Sequence, residues 1–458
     1  MQLTGDYERD VELFDGVVKS SESFDVIKRE TSFFGTSQTF FYIEGFASGQ
    51  VLQKLFTHLA SDGASFSAKS LPVAEASECS DLDELVFSLM SGKTVMFARE
   101  AKSAVIIDAR NYPGRDATEP ENDRVLRGSR DGFVETLLFN VALVRRRIRS
   151  ADFRAEYKRV GRTTKCDAAL CYMAGRVDGK LLQKLRAALD RLDTDSVTLG
   201  HESVAEKLIK KRWYDPFPKF RLTERPDVAS ASVLEGSVVL LVDNSPEATL
   251  FPTSLFDFLQ EADDFYFPPF TGTYLRIIRH IVFLLSVILV PAWYLAVMNA
   301  DVLPEWLRFA VPDDPGDIPI IVQLFLVEFS LDGLKLAYLN TPDTLSSSVS
   351  VVGGLLLGDF AVKVGWLSPD VILYMAFASV ANYTQSSYDL GYAFKYLRMT
   401  TLALTALFGA WGFFAGIAVG IILAAVNKTF SGRSYLWPLI PFDRKAAKRL
   451  FTRPKKFD

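Results

Sequence analysis

The chain has 458 residues, enough for about two to four domains, and 49% of them are apolar, which is high for a protein held wholly in water. A net charge of −4 excludes the basic domain that nucleic-acid binding calls for, so no nucleic acid is expected as a partner. Three cysteines (Cys79, Cys166, Cys171) and three histidines (His58, His201, His280) are too few and too scattered for a disulfide framework or a metal site, and no metal or cofactor is expected.

The first residues, MQLTGDYERDVELFDG, are polar and acidic, which argues against a cleavable signal peptide. Residues 1–22 read as loose chain. FDVIKRE and QTFFYIEGF alternate β-branched and aromatic residues and predict strands, VLQKLFTHLA and LDELVFSLMS carry helical spacing, and KTVMFARE and SAVIIDAR predict two more strands. Residues 111–127 are rich in Pro, Gly and charge and read as a linker.

GSRDGFVETLLFNVALVRRRIR predicts a helix capped by Asp131, with Glu135 in its first turns. Phe133, Leu137, Val141 and Val144 fall on one face, and Arg145, Arg146, Arg147 and Arg149 suit its C-terminus. A helix start can hold phosphate, but GSRDG lacks the glycines and lysine of a P-loop. EYKRV, ALCYM and GSVVLLVD then predict strands, and KLLQKLRAALDRL and SVAEKLIKKRW helices. No Ser/His/Asp set or nucleotide loop stands out, so no enzyme is expected.

Long uncharged runs are almost confined to residues 271–458. Residues 281–300 can cross a hydrocarbon core of roughly 30 Å. Arg276, Arg279 and His280 precede them and Asp301, Glu305, Asp313, Asp314 and Asp317 follow, which puts the N-terminal side in the cytoplasm. Residues 318–338 then run inward, 349–365 outward and 371–392 inward again, with Lys395 and Arg398 as basic flanks. Residues 399–427 are uncharged, and one helix of them would be about 43 Å long at roughly 1.5 Å per residue. That is overlong for one upright span, and the basic tail beyond belongs inside. A broken or re-entrant hairpin around residues 409–416 is therefore expected, with Gly409, Gly412, Gly416 and Gly420 allowing close packing. Tyr435 and Trp437 read as an interfacial anchor.

The stretch 318–398 carries what a lipid-facing helix avoids. Glu328 and Asp332 are four apart, Lys335 is three further on, and Asp359 and Lys363 are again four apart. In one reading these charges neutralise one another, or the lysines reach the interface. In the other they line a water-filled ion path together with Gln323, Asn382 and Gln385. Three acids against two bases mildly favour cations.

The expected fold is an α/β cytoplasmic region of two subdomains, residues 1–125 and 126–270, followed by an all-α polytopic membrane domain, residues 271–430, and a basic cytoplasmic tail, residues 431–458.

These motifs resemble one family, the GerA-type spore germination proteins. The segment holding Gly128, Arg130, Gly132, Glu135 and Asn140 is similar to that family's Gly-x-Arg-acidic-Gly-Phe-x-Glu helix. FRLTERPDVASASVLEGSVVLLVDNSPEATLFP resembles its Thr-Glu-Arg-Pro-Asp segment, and FPPF and the helices from residue 318 continue the likeness over residues 24–442. LVEFSLDGLKLA followed by NTP, GDFAVKVGWLSPDVILYMA and YLWPLIPFD favour a sporulation branch over the nutrient-receptor A subunits. The resemblance implies an inner spore membrane protein with its soluble half in the cytoplasm or spore core. It further implies a homo-oligomeric, pentameric cation channel with a lipid membrane and another small membrane subunit as partners. A nutrient receptor A subunit, a dipicolinate transport component and a non-conducting scaffold are the alternatives. The family supplies no catalytic residues.

Overall fold

Helix α1, Tyr7–Val18, opens the chain in place of the loose segment expected from its polarity. Its Asp6 cap accepts from the Arg9 N–H, and buried Asp10 accepts from the N–H groups of Thr4 and Gly5 at 2.7 and 2.9 Å. Val11, Phe14 and Val18 give it one apolar face. The computed structural model describes residues 1–33, 35–61, 67–112, 123, 125–192, 200–208, 213–341, 351, 353–355, 358, 360–385 and 387–452. Two units result, Met1–Lys211 with Phe220–Thr253, and Arg212–Lys219 with Ser254–Asp458.

In the first unit, β1 (Val26–Phe33) and β2 (Thr36–Ile43) form a hairpin with Val26 opposite Ile43. Helix α2 (Gly49–Ser61), β3 (Ala76–Cys79), α3 (Leu82–Met90), β4 (Thr94–Ala98) and β5 (Ala104–Ile107) complete an antiparallel sheet of order β1-β2-β4-β5-β3. Helix α4, Leu137–Arg147, leads to the hairpin β6 (Phe153–Val160) and β7 (Cys166–Met173). Then come α5 (Gly179–Asp190), α6 (Gly200–Leu208), β8 (Arg221–Thr223), α7 (Pro226–Leu234), β9 (Val238–Val242) and β10 (Ala248–Phe251), in a sheet of order β6-β7-β9-β10-β8.

The two sheets have the same order and connection, so the unit is a structural duplication. Its trace in the sequence is short. Tyr42, Gly45, Gly49 and Leu52-Gln53-Lys54-Leu55 recur as Tyr172, Gly175, Gly179 and Leu182-Gln183-Lys184-Leu185. Gly45 and Gly175 both turn the chain at positive φ, 87° and 80°, where a side chain is disfavoured.

Helix α4 begins at Leu137 rather than near Asp131. Residues 129–136 are non-helical, and Asp131 pairs with Arg147 instead of capping. Burial opposes ionisation of Asp131, but the Arg147 guanidinium and Ser129 hydroxyl hold its carboxyl below the usual range. Asn140, fully buried, ties its amide to both backbone groups of Val134. Glu135 offers its carbonyl to the Asn244 N–H at 2.8 Å, and Asp243 accepts from the Leu137 N–H at 3.0 Å. Gly128, Arg130 and Gly132 lie in the loop leading into this helix. Ala142 packs in the core under the first sheet, while Leu137, Val141 and Val144 pack under the second. Between them Arg145, fully buried, grips Asp25 at 2.8 and 2.9 Å and Ser23 at 2.9 Å.

In the second unit, α8 (Asp263–Tyr266) precedes the 30-residue α9 (Pro269–Met298), which opens on Pro269 and contains Pro291. Fully buried Asp264 pairs with Arg276 and Arg279 of α9 at 3.2 and 2.8 Å. Helix α10 is Ile320–Leu339, close to expectation. Residues 371–392 are not one helix. Helix α11 is Pro369–Tyr383, the chain breaks through Thr384 and Gln385, and α12 (Tyr388–Val426) restarts at a Ser387 cap. Side chains of Ser and Thr compete for backbone hydrogen bonds, and here the Thr384 hydroxyl bonds the Ala381 carbonyl while Ser387 accepts from Leu390.

Helix α12 itself folds back at Gly409 (φ 59°, ψ −136°). A Cβ on Gly412 would lie 1.8 Å from the Leu404 carbonyl oxygen, and one on Gly416 2.7 Å from the Thr401 Cα, so the two arms touch backbone to backbone. The break expected around residues 409–416 is thus a tight helical hairpin. Tyr435 is not an exposed anchor: it is fully buried among Phe217, Leu390 and Phe394, and donates its hydroxyl to the Pro218 carbonyl at 2.8 Å. Helix α13, Arg444–Phe451, is capped by Asp443. Among the described residues two helices, α9 and α12, are long and apolar enough to cross a membrane.

Asp25→Asn leaves the Arg145 charge buried without a carboxylate, and should lower the urea-unfolding free energy of the N-terminal unit by about 3–5 kcal/mol. Gly412→Ala should force the hairpin apart and cost about 3 kcal/mol or more, read as a lower melting temperature of the purified protein in detergent.

Candidate functional site

A pocket of about 50 Å³ lies inside the second unit, lined on one side by the end of α11 and the start of α12. A cavity needs roughly 10–15 Å³ for one water, so a few waters or a dehydrated ion fit. Three chain segments supply the walls. From α10 come Glu328, Leu331, Asp332 and Lys335, which share one helix face. From the end of α11 come Ser379, Asn382 and Tyr383. From the first turns of α12 come Tyr388, Gly391, Tyr392, Lys395 and Arg398, again at helical spacing.

The centre is an ionic cluster. Arg398, 2% exposed, donates to both oxygens of Glu328 at 2.7 and 2.9 Å and to the Ser286 carbonyl of α9 at 3.0 Å. One guanidinium therefore ties together α9, α10 and α12. Lys395 lies 3.5 Å from Glu328 and also pairs with Asp332, whose side chain is 41% exposed. Lys335 takes a different kind of partner. Its ammonium sits over the rings of Tyr388 and Tyr392, 5.0 and 4.5 Å from their centroids.

Several polar atoms around the helix break are buried without a hydrogen-bond partner among the described residues: Asn382 Oδ1, both amide atoms of Gln385, and Arg398 Nε. Buried polar groups are normally satisfied by protein or water, and of these residues Asn382 and Arg398 line the pocket while Gln385 does not.

Of the residues expected in an ion path, the pocket brings together Glu328, Asp332, Lys335 and Asn382. Gln323 stands apart from it. Its amide donates to the Pro315 and Ile318 carbonyls at 2.6 Å each and accepts from the Ser368 N–H at 2.8 Å, so it clamps the chain ahead of α10 to the start of α11. Lys363 is exposed, 5.9 Å from the centroid of the Phe360 ring, and Asp359 lies outside the described residues. Lys395 and Arg398, expected as basic flanks at the membrane surface, are instead buried partners of the acids. The spacing 388, 391, 392, 395, 398 was the available sign, since those positions fall on one helix face. With them the lining carries two acids and three bases, so the net charge of the described wall is +1 rather than the −1 of the sequence sum.

The profile of the Bacillus/Clostridium GerA spore germination protein family matches residues 16–457. Stage V sporulation protein AF of Bacillus subtilis is 38% identical over 383 residues, which cover 84% of this chain and 77% of that protein. Spore germination protein KA of Bacillus subtilis is 29% identical, over 83% of this chain and 70% of that protein. The crystal structure of the N-terminal domain of the A subunit of the Bacillus megaterium spore germinant receptor GerK3 matches with a TM-score of 0.41 and 23% identity, over 55% of this chain and 96% of that one.

Glu328→Gln should strand Arg398 and Lys395 with one shared acid fewer and destabilise the helical unit by about 3–5 kcal/mol. Thermal unfolding in detergent checks this, and Gln323→Ala, away from the cluster, should leave the Arg398 contacts intact while loosening the start of α11.

Proposed function

The chain belongs to the Bacillus/Clostridium GerA family of spore germination proteins, and on that premise we propose that it is a membrane subunit of the germination apparatus that moves monovalent ions through the pocket between α10, α11 and α12. The observation that carries this reading is the gathering of Glu328, Asp332, Lys335, Lys395 and Arg398 with unpartnered polar atoms at a helix break. Non-helical backbone at membrane depth is tolerated where it lines a water-filled cavity, and ionisable residues there mark ion pathways.

In this reading residues 271–430 form a polytopic membrane domain, with α9 and the two arms of α12 as crossings and α10 as a further span. Helix α10 has 20 residues, about 30 Å at roughly 1.5 Å per residue, and its three charges face the pocket rather than lipid. Helix α11, with 15 residues, reaches only about 22 Å at that rise and ends inside the membrane, where the pocket lies. Residues 1–125 and 126–270 lie in the cytoplasm or spore core, and residues 431–458 form a basic tail on the same side. The membrane is the inner spore membrane. We read the protein further as a homo-oligomer, a pentamer by family analogy, with another small membrane subunit as partner; a ring of copies would repeat Asp332 around an axis, as in ion-selective pores.

The direct test is ion flux from K⁺-loaded vesicles holding the full-length protein. Asp332 is half-exposed to the pocket and its loss spares the Glu328–Arg398 pair. Asp332→Asn should therefore change K⁺ flux by about tenfold with the fold intact. Equal flux and equal selectivity in the two proteins would defeat the reading.

A further inference from the structure

Three cations face this pocket, and they are held unequally. Arg398 holds both oxygens of one carboxylate, and Lys395 bridges two acids. Lys335 has no carboxylate partner among the described residues; its ammonium rests between two aromatic faces. Such a pair of faces is a general recognition site for a weakly hydrated cation. In the same lining Asn382 Oδ1 is a buried acceptor with nothing to accept from among the described residues.

We propose that Lys335 is a tethered cation: its ammonium fills, from the protein's own chain, the position that a K⁺-like or ammonium-like ion would take between Tyr388 and Tyr392, and thereby keeps the pocket closed. This rests on the ion-path reading and adds what regulates it. With Lys335 in place the described wall is +1 and repels a second cation. With Lys335 withdrawn, two acids face two bases, the aromatic faces are vacant, and Asn382 Oδ1 can join an ion's shell. Opening is then a displacement of one lysine side chain, and the pocket accepts large, weakly hydrated monovalent cations in its place. The stem of Lys335 is long enough to swing while the Arg398–Glu328 pair stays fixed, because Lys335 and Glu328 sit seven residues apart on α10.

The test uses full-length protein in vesicles carrying a Tl⁺-sensitive dye. Lys335→Met and Lys335→Gln should each raise the unstimulated Tl⁺ leak about tenfold over the unmodified chain, the factor corresponding to a lost cation anchor of ordinary strength. Lys335→Arg should stay near the unmodified level, since a guanidinium also stacks on aromatic faces. Adding Asp332→Asn to Lys335→Met should change the leak again. If neither neutral variant leaks more than the unmodified chain while both elute as it does in size exclusion, the tethered-cation inference is overturned and the ion-path reading stands on its own test. A leak that ignores Asp332→Asn would instead show that ions pass elsewhere, and would overturn both.

Discussion

The helical unit turns on one buried contact, the Arg398 guanidinium on the Glu328 carboxylate. Taking two such ions out of water costs several kcal/mol for each, and their attraction restores it only when geometry is good and the remaining donors are satisfied. Here both carboxylate oxygens share one nitrogen, Arg398 Nη2, while Nη1 reaches the Ser286 carbonyl. Satisfaction is incomplete, because Arg398 Nε has no partner among the described residues. Apolar residues would hold α9, α10 and α12 together at least as well. Stability alone therefore does not account for the cluster, and the proposed ion path gives it a second reason to be there.

How far the site was legible depended on which residues advertise themselves. The α10 charges were readable because acids four apart in an apolar run have no bland place in lipid. Lys395 and Arg398 were misread because basic residues after an apolar run are ordinarily cytoplasmic flanks. That rule assumes the helix ends there, and it does not: Thr384 and Ser387 break the chain earlier, so Lys395 falls two turns inside α12. Gln323 looked like a pore residue because sequence cannot say whether an amide meets water or backbone. The hairpin at Gly409 was visible for a simpler reason, since the run was too long for one span and too short for two, with glycines at helical spacing.

The N-terminal unit shows the opposite imbalance. Its strands and helices were legible from alternation and period, but the duplication was not, because only the turn into α2 and α5 preserves a common Tyr-x-x-Gly-x-x-x-Gly-x-x-Leu-Gln-Lys-Leu pattern. Elsewhere the two halves agree in topology and not in side chains. The GSRDG segment invited a helix-start or phosphate reading. Its charged residue Asp131 is instead spent on Arg147, and the helix behind it serves both cores, with Arg145 fixed by Asp25. The printed contacts of Glu135 and Asn140 stay in the second half, and it is Ala142 and Arg145 of the helix that reach the first.

The unequal holding of the three pocket cations decides which part of the site can move. Stripping a buried carboxylate from Arg398 would cost about 3–5 kcal/mol, which makes it a fixed pillar. Lys395 shares Glu328 and leans on the half-exposed Asp332, so it is held by two contacts of unequal depth. An ammonium over aromatic faces is held by about 0.5–2 kcal/mol, and Lys335 has that alone among the described residues. A state change of ordinary size, about 1–3 kcal/mol of coupling from elsewhere in the chain, can therefore release Lys335 and cannot release Arg398. The pocket thus combines a rigid frame with one weakly held charge, and that charge lies one turn from Asp332, the more exposed of the two acids on the described wall.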